Sequence, residues 1–153
     1  MAYTSDDAFC IKTDVEAVVQ RGAFTTDTKP TAQQVLDWMA RYAGEIEQHM
    51  ADAGASYTVK NRGVAFPATP TGAVARLKIL CEAANAIGAA SQVIAMHSVL
   101  GGSGSDEAAT AMYARFTETL KQVDAAAASA TPGRSVFDRS DATDLPFTSS
   151  VEF

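Results

Sequence analysis

Three side chains in one stretch have the types and spacing to hold a cation. Glu45, His49 and Asp52 lie four and three positions apart, so a helix would carry two carboxylates and an imidazole on one face, a donor set zinc accepts. Such trios arise by chance on helix surfaces, and neither an HExxH pair nor a cysteine cluster accompanies this one. The expectation is a solvated face and no bound metal. Hydrolysis needs a nucleophile, a base and a group that orients the base. His49 and His97 are the only imidazoles, and neither stands in a recognisable catalytic pattern. Gly101-Gly102-Ser103-Gly104-Ser105 imitates a nucleophile elbow, but it lacks the final glycine and a preceding strand, and it reads as a linker. His97 near a helix end is expected to meet terminal carbonyls. No phosphate loop of the GxxxxGKS type and no GxGxxG after a strand is present. Trp38, Tyr42 and Tyr113 could stack on bases, yet at helical spacing among aliphatics they are expected in the core. These residues lead to the expectation of a protein that is not an enzyme and uses no cofactor.

The bulk properties narrow the class further. A chain of 153 residues with 47% hydrophobic and 20% charged residues has the length and content for one domain with a real core. Alanine dominates the apolar part, which favours helix because alanine loses no side-chain entropy there. The net charge of −6 argues against sequence-specific binding of DNA or RNA, which calls for a basic stripe. Lys60 and Arg62 come nearest to one and are expected to be solvated loop cations. The start, Met1 to Asp7, has acids where a signal peptide carries a basic region, against secretion by that route. Glu82, Asn85, Gln92 and His97 interrupt the least polar stretch, 79–100, which therefore reads as a buried helix and not a membrane span. Cys10 and Cys81 belong to no CxxC pair and are expected to be free thiols.

The elements that would position these residues are helices. Thr13 and Glu16 predict a capping box for a first helix that stops at Gly22. Residues 24–30 form a polar loop with no period that would bury it. Thr31 and Gln34 predict a second box, followed by Val35, Met39, Tyr42, Ile46 and Met50 as one amphipathic stripe. Gly54 is the expected residue just beyond that helix. After an irregular stretch over 55–70, Thr71 is expected to cap a long helix to Val99, with Val74, Leu77, Leu80, Ala84, Ile87 and Ile94 as its stripe, interrupted by Ser91. A fourth helix is expected from Ser105, with Met112, Tyr113, Phe116, Leu120 and Val123 facing inward, ending at Thr131-Pro132-Gly133. The fold class is thus all-α: a small bundle of about four helices with a long central helix (residues 1–130), then an extended C-terminal arm (131–153).

Two regions point to partners. Ala83, Ala86, Gly88 and Ala90 leave the long helix small on several faces, so another backbone can come close, and a subunit interface is expected there. The last residues set Val136, Phe137, Leu145, Phe147, Val151 and Phe153 among Asp, Ser, Thr and Arg without a helical period. Such a segment builds no core of its own and suits ordering on a partner. Phe137, Leu145, Phe147, Val151 and Phe153 are its expected anchors, lying against another protein and not against the chain's own bundle.

Taken in order, the chain resembles the head-to-tail adaptor (connector) proteins of tailed bacteriophages. The resemblance lies in Asp14-Val15-Glu16-Ala17, in the loop Phe24 to Thr31, in Val35, Trp38 and Glu45-Ile46, and in the closure at Ala53-Gly54. It covers most of the chain and is specific over about residues 13–54. It implies a ring of subunits, usually dodecameric, docked under the portal protein in the virion neck after assembly in the host cytoplasm. The ring would extend the DNA channel and meet a downstream neck or tail protein. DNA would pass without sequence-specific binding, for which net acidity is suited, and no membrane is involved. The central helices are longer and the tail more aromatic than in the shortest members of that family. A reading from a different class is a small helical homo-oligomeric binding or regulatory module. A tail-completion subunit of the same neck is a third.

Overall fold

The computed structural model describes residues 2–99 and 105–131. The expected linker over 101–104 and, apart from Thr131, the expected arm lie outside the described residues. Within them the chain forms a 3-10 turn at Ser5–Asp7 and four α-helices: α1 Lys12–Val19, α2 Ala32–Asp52, α3 Gly72–Val99 and α4 Ser105–Ala130. No strand occurs among the described residues. The all-α bundle with a long central helix is therefore the observed architecture.

The cap of α2 lies where local chemistry placed it, and α3 begins just after Thr71. The Thr31 hydroxyl accepts the Gln34 backbone N–H, and the Gln34 side chain accepts the Thr31 N–H. Gly54 follows the C-cap residue Ala53 at φ 97°, a left-handed conformation that costs a glycine no Cβ clash. Thr71 stands just before α3, and its carbonyl accepts the Ala75 N–H. The first helix departs from expectation. It begins at Lys12 with Ile11 as N-cap, and Asp14 accepts the Ile11 N–H at 3.0 Å. Thr13 is no cap but lies inside the helix, and the Glu16 carboxylate accepts the Phe24 N–H at 2.9 Å. The helix stops at Gln20, with φ 54°, two residues before Gly22.

The core has two parts that share α3. One joins α2, α3 and α4 through Tyr42, Ile46, Met50, Leu77, Phe116, Leu120 and Val123. The Tyr42 and Phe116 rings meet edge to face, centroids 4.8 Å apart, the arrangement their quadrupoles favour. Gly88 lies at this crossing, and a Cβ added there would stand 2.7 Å from the Tyr42 ring and 3.1 Å from Phe116. The second part joins the N-terminal segment, α1 and the start of α2 to α3 through Cys10, Val15, Phe24, Val35, Met39, Ala86, Ala89, Ala90 and Val93. Phe24, expected in a solvated loop, is buried here.

Buried Asn85 stands between the two parts. Its Oδ1 accepts the backbone N–H groups of Phe9 (2.7 Å) and Cys10 (3.2 Å), and its Nδ2 donates to the Met39 carbonyl at 2.8 Å. One buried amide thus pairs three main-chain groups. The expected α2 stripe is buried throughout, and Leu77, Ala84 and Ile87 of the α3 stripe are too. Ser91 interrupts that stripe at little cost, because its hydroxyl donates to the Gly88 carbonyl at 2.6 Å. Tyr113 departs from the inner face of α4 and is 48% exposed. By length and composition Gly72–His97 would be long and apolar enough to cross a membrane, and 56% of its most apolar window is buried inside the bundle.

Candidate interaction surface

The fold separates the residues whose spacing suggested chemistry. His49 Nδ1 pairs with Asp124 Oδ1 of α4 at 2.9 Å, while Asp52 accepts from Gln48 at 2.9 Å. The sequence neighbours of His49 therefore do not set its orientation. No group of three or more His, Cys, Asp or Glu side chains is gathered as a metal site among the described residues. His97 reaches the Arg21 guanidinium. Burial first, and then the Arg21 charge, lower its pKa below the ordinary imidazole value.

The two loop cations are paired. Lys60 meets Asp6 at 3.4 Å and Arg62 meets Glu47 at 3.0 Å. Glu47 also accepts the Val59 N–H at 2.8 Å, so it ties the loop after α2 back onto that helix. Asp7 accepts the Thr4 backbone N–H at 2.8 Å and the Asn61 amide at 3.0 Å, and these two bonds lead the causes holding its carboxyl below the usual range. Cys10 and Cys81 are free and buried. Burial pushes both thiols up, Cys81 to about 12 with the Glu82 carboxylate adding to the effect, and Cys10 further. Neither holds the thiolate that reactivity requires.

Of the four residues of the expected subunit interface, the packing places three inside the chain. Ala86 and Ala90 are buried in the core shared with α1, and Gly88 is buried against Tyr42 and Phe116. Their smallness admits the chain's own helices. Of the four, only Ala83 is exposed. It lies in a groove bounded by Asp14, Ala17 and Val18 of α1, Ile79, Glu82, Ala86 and Ile87 of α3, and Arg115 of α4. Ile79 in this groove is 64% exposed. Tyr3, Ile11, Val64 and Tyr113 are the other large apolar side chains exposed among the described residues. Sequence reasoning missed Ile79 because its neighbours Leu77, Leu80 and Cys81 are equally apolar; only the positions of α1 and α4 tell them apart. The expected arm anchors Phe137, Leu145, Phe147, Val151 and Phe153 lie outside the described residues. Comparison with known proteins returned no matching protein family, no matching curated sequence and no matching solved structure.

Proposed function

We propose that this chain is a structural protein of the tailed-bacteriophage neck, a head-to-tail adaptor that assembles with copies of itself into a ring. In this reading the ring docks under the portal, extends the DNA channel and joins the head to the next neck or tail component. The protein is then no enzyme and uses no cofactor, and its place is the virion.

The observation that carries the reading is the residue pattern over 13–54. Those residues also have physical work in the fold. Glu16 holds the loop at Phe24, Thr31 and Gln34 cap α2, and Ala53-Gly54 closes it. A stretch that sets how α1, the loop and α2 are joined is one a family of like-shaped subunits would share. With Ala86, Gly88 and Ala90 occupied internally, contact between subunits would fall on exposed side chains such as Tyr113 and Ile11. Attachment to the head would fall on the C-terminal segment. Each fully buried phenylalanine contributes roughly 1.5–3 kcal/mol before the cost of ordering. Repetition around a ring would strengthen even a weak single attachment.

The test compares the full chain with a deletion of residues 134–153, each mixed with portal-bearing heads of the particle that encodes it. The full chain is expected to appear as a ring under the portal by electron microscopy. The deletion is expected to stay helical by circular dichroism and fail to join. A full chain that stays off the heads and forms only a small oligomer would sink the neck reading in favour of a regulatory module. A deletion that unfolds, or folds and still docks, would refute attachment through the C-terminal segment.

A further inference from the structure

We infer that the groove on the outer face of α3 is the seat of the chain's own C-terminal segment, with Val136 and Phe137 lying over Ile79 and Ala83. Gly72, Arg76, Ile79 and Ala83 are spaced four, three and four apart, which places them on one face of the helix. All four are exposed, whereas Ala86 and Ile87, further along that face, are buried. The cause is the length of α1. Its eight residues cover only the later part of the face, where Ala17 and Val18 border Ala86, and leave the first three turns of α3 open. Alongside those turns runs α4. One hollow lies between Gly72, Ala73 and Arg76 on one side and Gln122, Ala126 and Ser129 on the other. A second hollow, at Ile79 and Ala83, lies further along the same face of α3.

The chain leaves the described structure at the mouth of this groove. α4 ends at Ala130, and Thr131 still bonds back to the Ala127 carbonyl at 2.8 Å. Ser129 and Ala126 of its last turns line the first hollow. Pro132 and Gly133 come next, a pair that turns the backbone out of a helix. From Thr131 to Phe137 an extended chain spans about 20 Å. From Gly72 the helix rises about 10 Å to Ile79 and about 16 Å to Ala83. The first two large apolar residues after α4 therefore arrive at the one stretch of α3 with an uncovered isoleucine. The next residues, Asp138 and Arg139, carry one charge of each sign, and the groove is lined by Arg115 as well as by Asp14 and Glu82, so it offers an opposite for each. Phe137 then belongs to the bundle, and Leu145, Phe147, Val151 and Phe153 are left for a partner.

The test requires no portal, so its outcome is separate from that of the neck reading. In the full chain, Ala83→Cys and Phe137→Cys are combined, and equal amounts of heavy-isotope-labelled and unlabelled protein are mixed and mildly oxidised. Cys10 and Cys81 are buried and stay out of the reaction. A disulfide joining 83 to 137 is expected, with both peptides carrying the same isotope. Mixed-isotope peptides would show a neighbour's segment in the groove and overturn the inference. So would a yield no higher than that of Ala83→Cys with Phe153→Cys. In the otherwise native chain, Ile79→Asp should speed tryptic cleavage after Arg134 and Arg139 while helicity is unchanged. Equal cleavage rates in the two chains would also overturn it.

Discussion

The two parts of the core press on the same helix and are held by different forces. Between α2, α3 and α4 the contacts are large and apolar, with Tyr42 and Phe116 closing over Gly88. Between α3 and the N-terminal layer the apolar groups are mostly smaller, and directional bonds complete the joint. Asn85 holds Phe9, Cys10 and Met39, Glu16 holds Phe24, and the Lys12 ammonium donates to the Phe24 carbonyl at 2.6 Å. Apolar packing tolerates small shifts and loses stability in proportion to the volume removed. A buried bonding centre fails as a unit, because each lost partner leaves a desolvated group behind. The bundle should therefore respond to volume and the N-terminal layer to polarity.

The largest effect should come from Phe116→Ala. Removing that ring leaves a cavity beside Tyr42 and should cost about 3–5 kcal/mol, read as one shift of the whole denaturant transition. A loss below 1 kcal/mol would mean that the crossing at Gly88 is not the centre of the bundle. Asn85→Ala should come next, at about 2–3 kcal/mol, and it should act locally. Amide exchange at Phe9 and Cys10 is expected to accelerate while the α3–α4 pair stays protected. Equal acceleration across the bundle would erase the distinction between the two parts.

Gln20→Gly should act in the opposite direction. Gln20 holds a left-handed conformation at φ 54° that costs a side-chain-bearing residue about 1 kcal/mol, so glycine there should raise stability by about that amount. An unchanged melting midpoint would show that the strain is offset at that site. The smallest effect concerns pH. His97 has its folded pKa below the ordinary 6.5, so on acidification the unfolded chain takes up the proton first. Its contribution is complete above pH 6.5 and is lost as pH falls from there through the folded pKa. Replacing it in His97→Gln should flatten that limb of the stability profile, and an unchanged slope would rule the contribution out.

Much of this was legible from residue order alone. The long α2 stripe, the box at Thr31, the glycine after α2 and the extent of α3 follow from capping chemistry and a 3.6-residue period, which act over a few positions. The same local logic misplaced the first cap. Thr13 and Glu16 have the right spacing, but the helix already begins at Lys12, and Glu16 accepts from Phe24, eight residues away. His49 was likewise drawn from its own helix to Asp124, and Tyr113 had the period of a core residue on a face left exposed among the described residues.

By itself, the sequence determined that this protein is an alanine-rich helical bundle, with the helix positions set by caps, breakers and apolar spacing between near neighbours. Only the tertiary structure decided what the small residues of α3 are for. Smallness allows close approach without naming the partner. At Gly88 the partner proved to be the chain's own Tyr42 and Phe116, and at Ala86 and Ala90 its own N-terminal layer. It also singled out Ile79 among equally apolar neighbours as the one left exposed among the described residues, because exposure there depends on where α1 ends and on the course of α4, contacts between residues far apart in the chain.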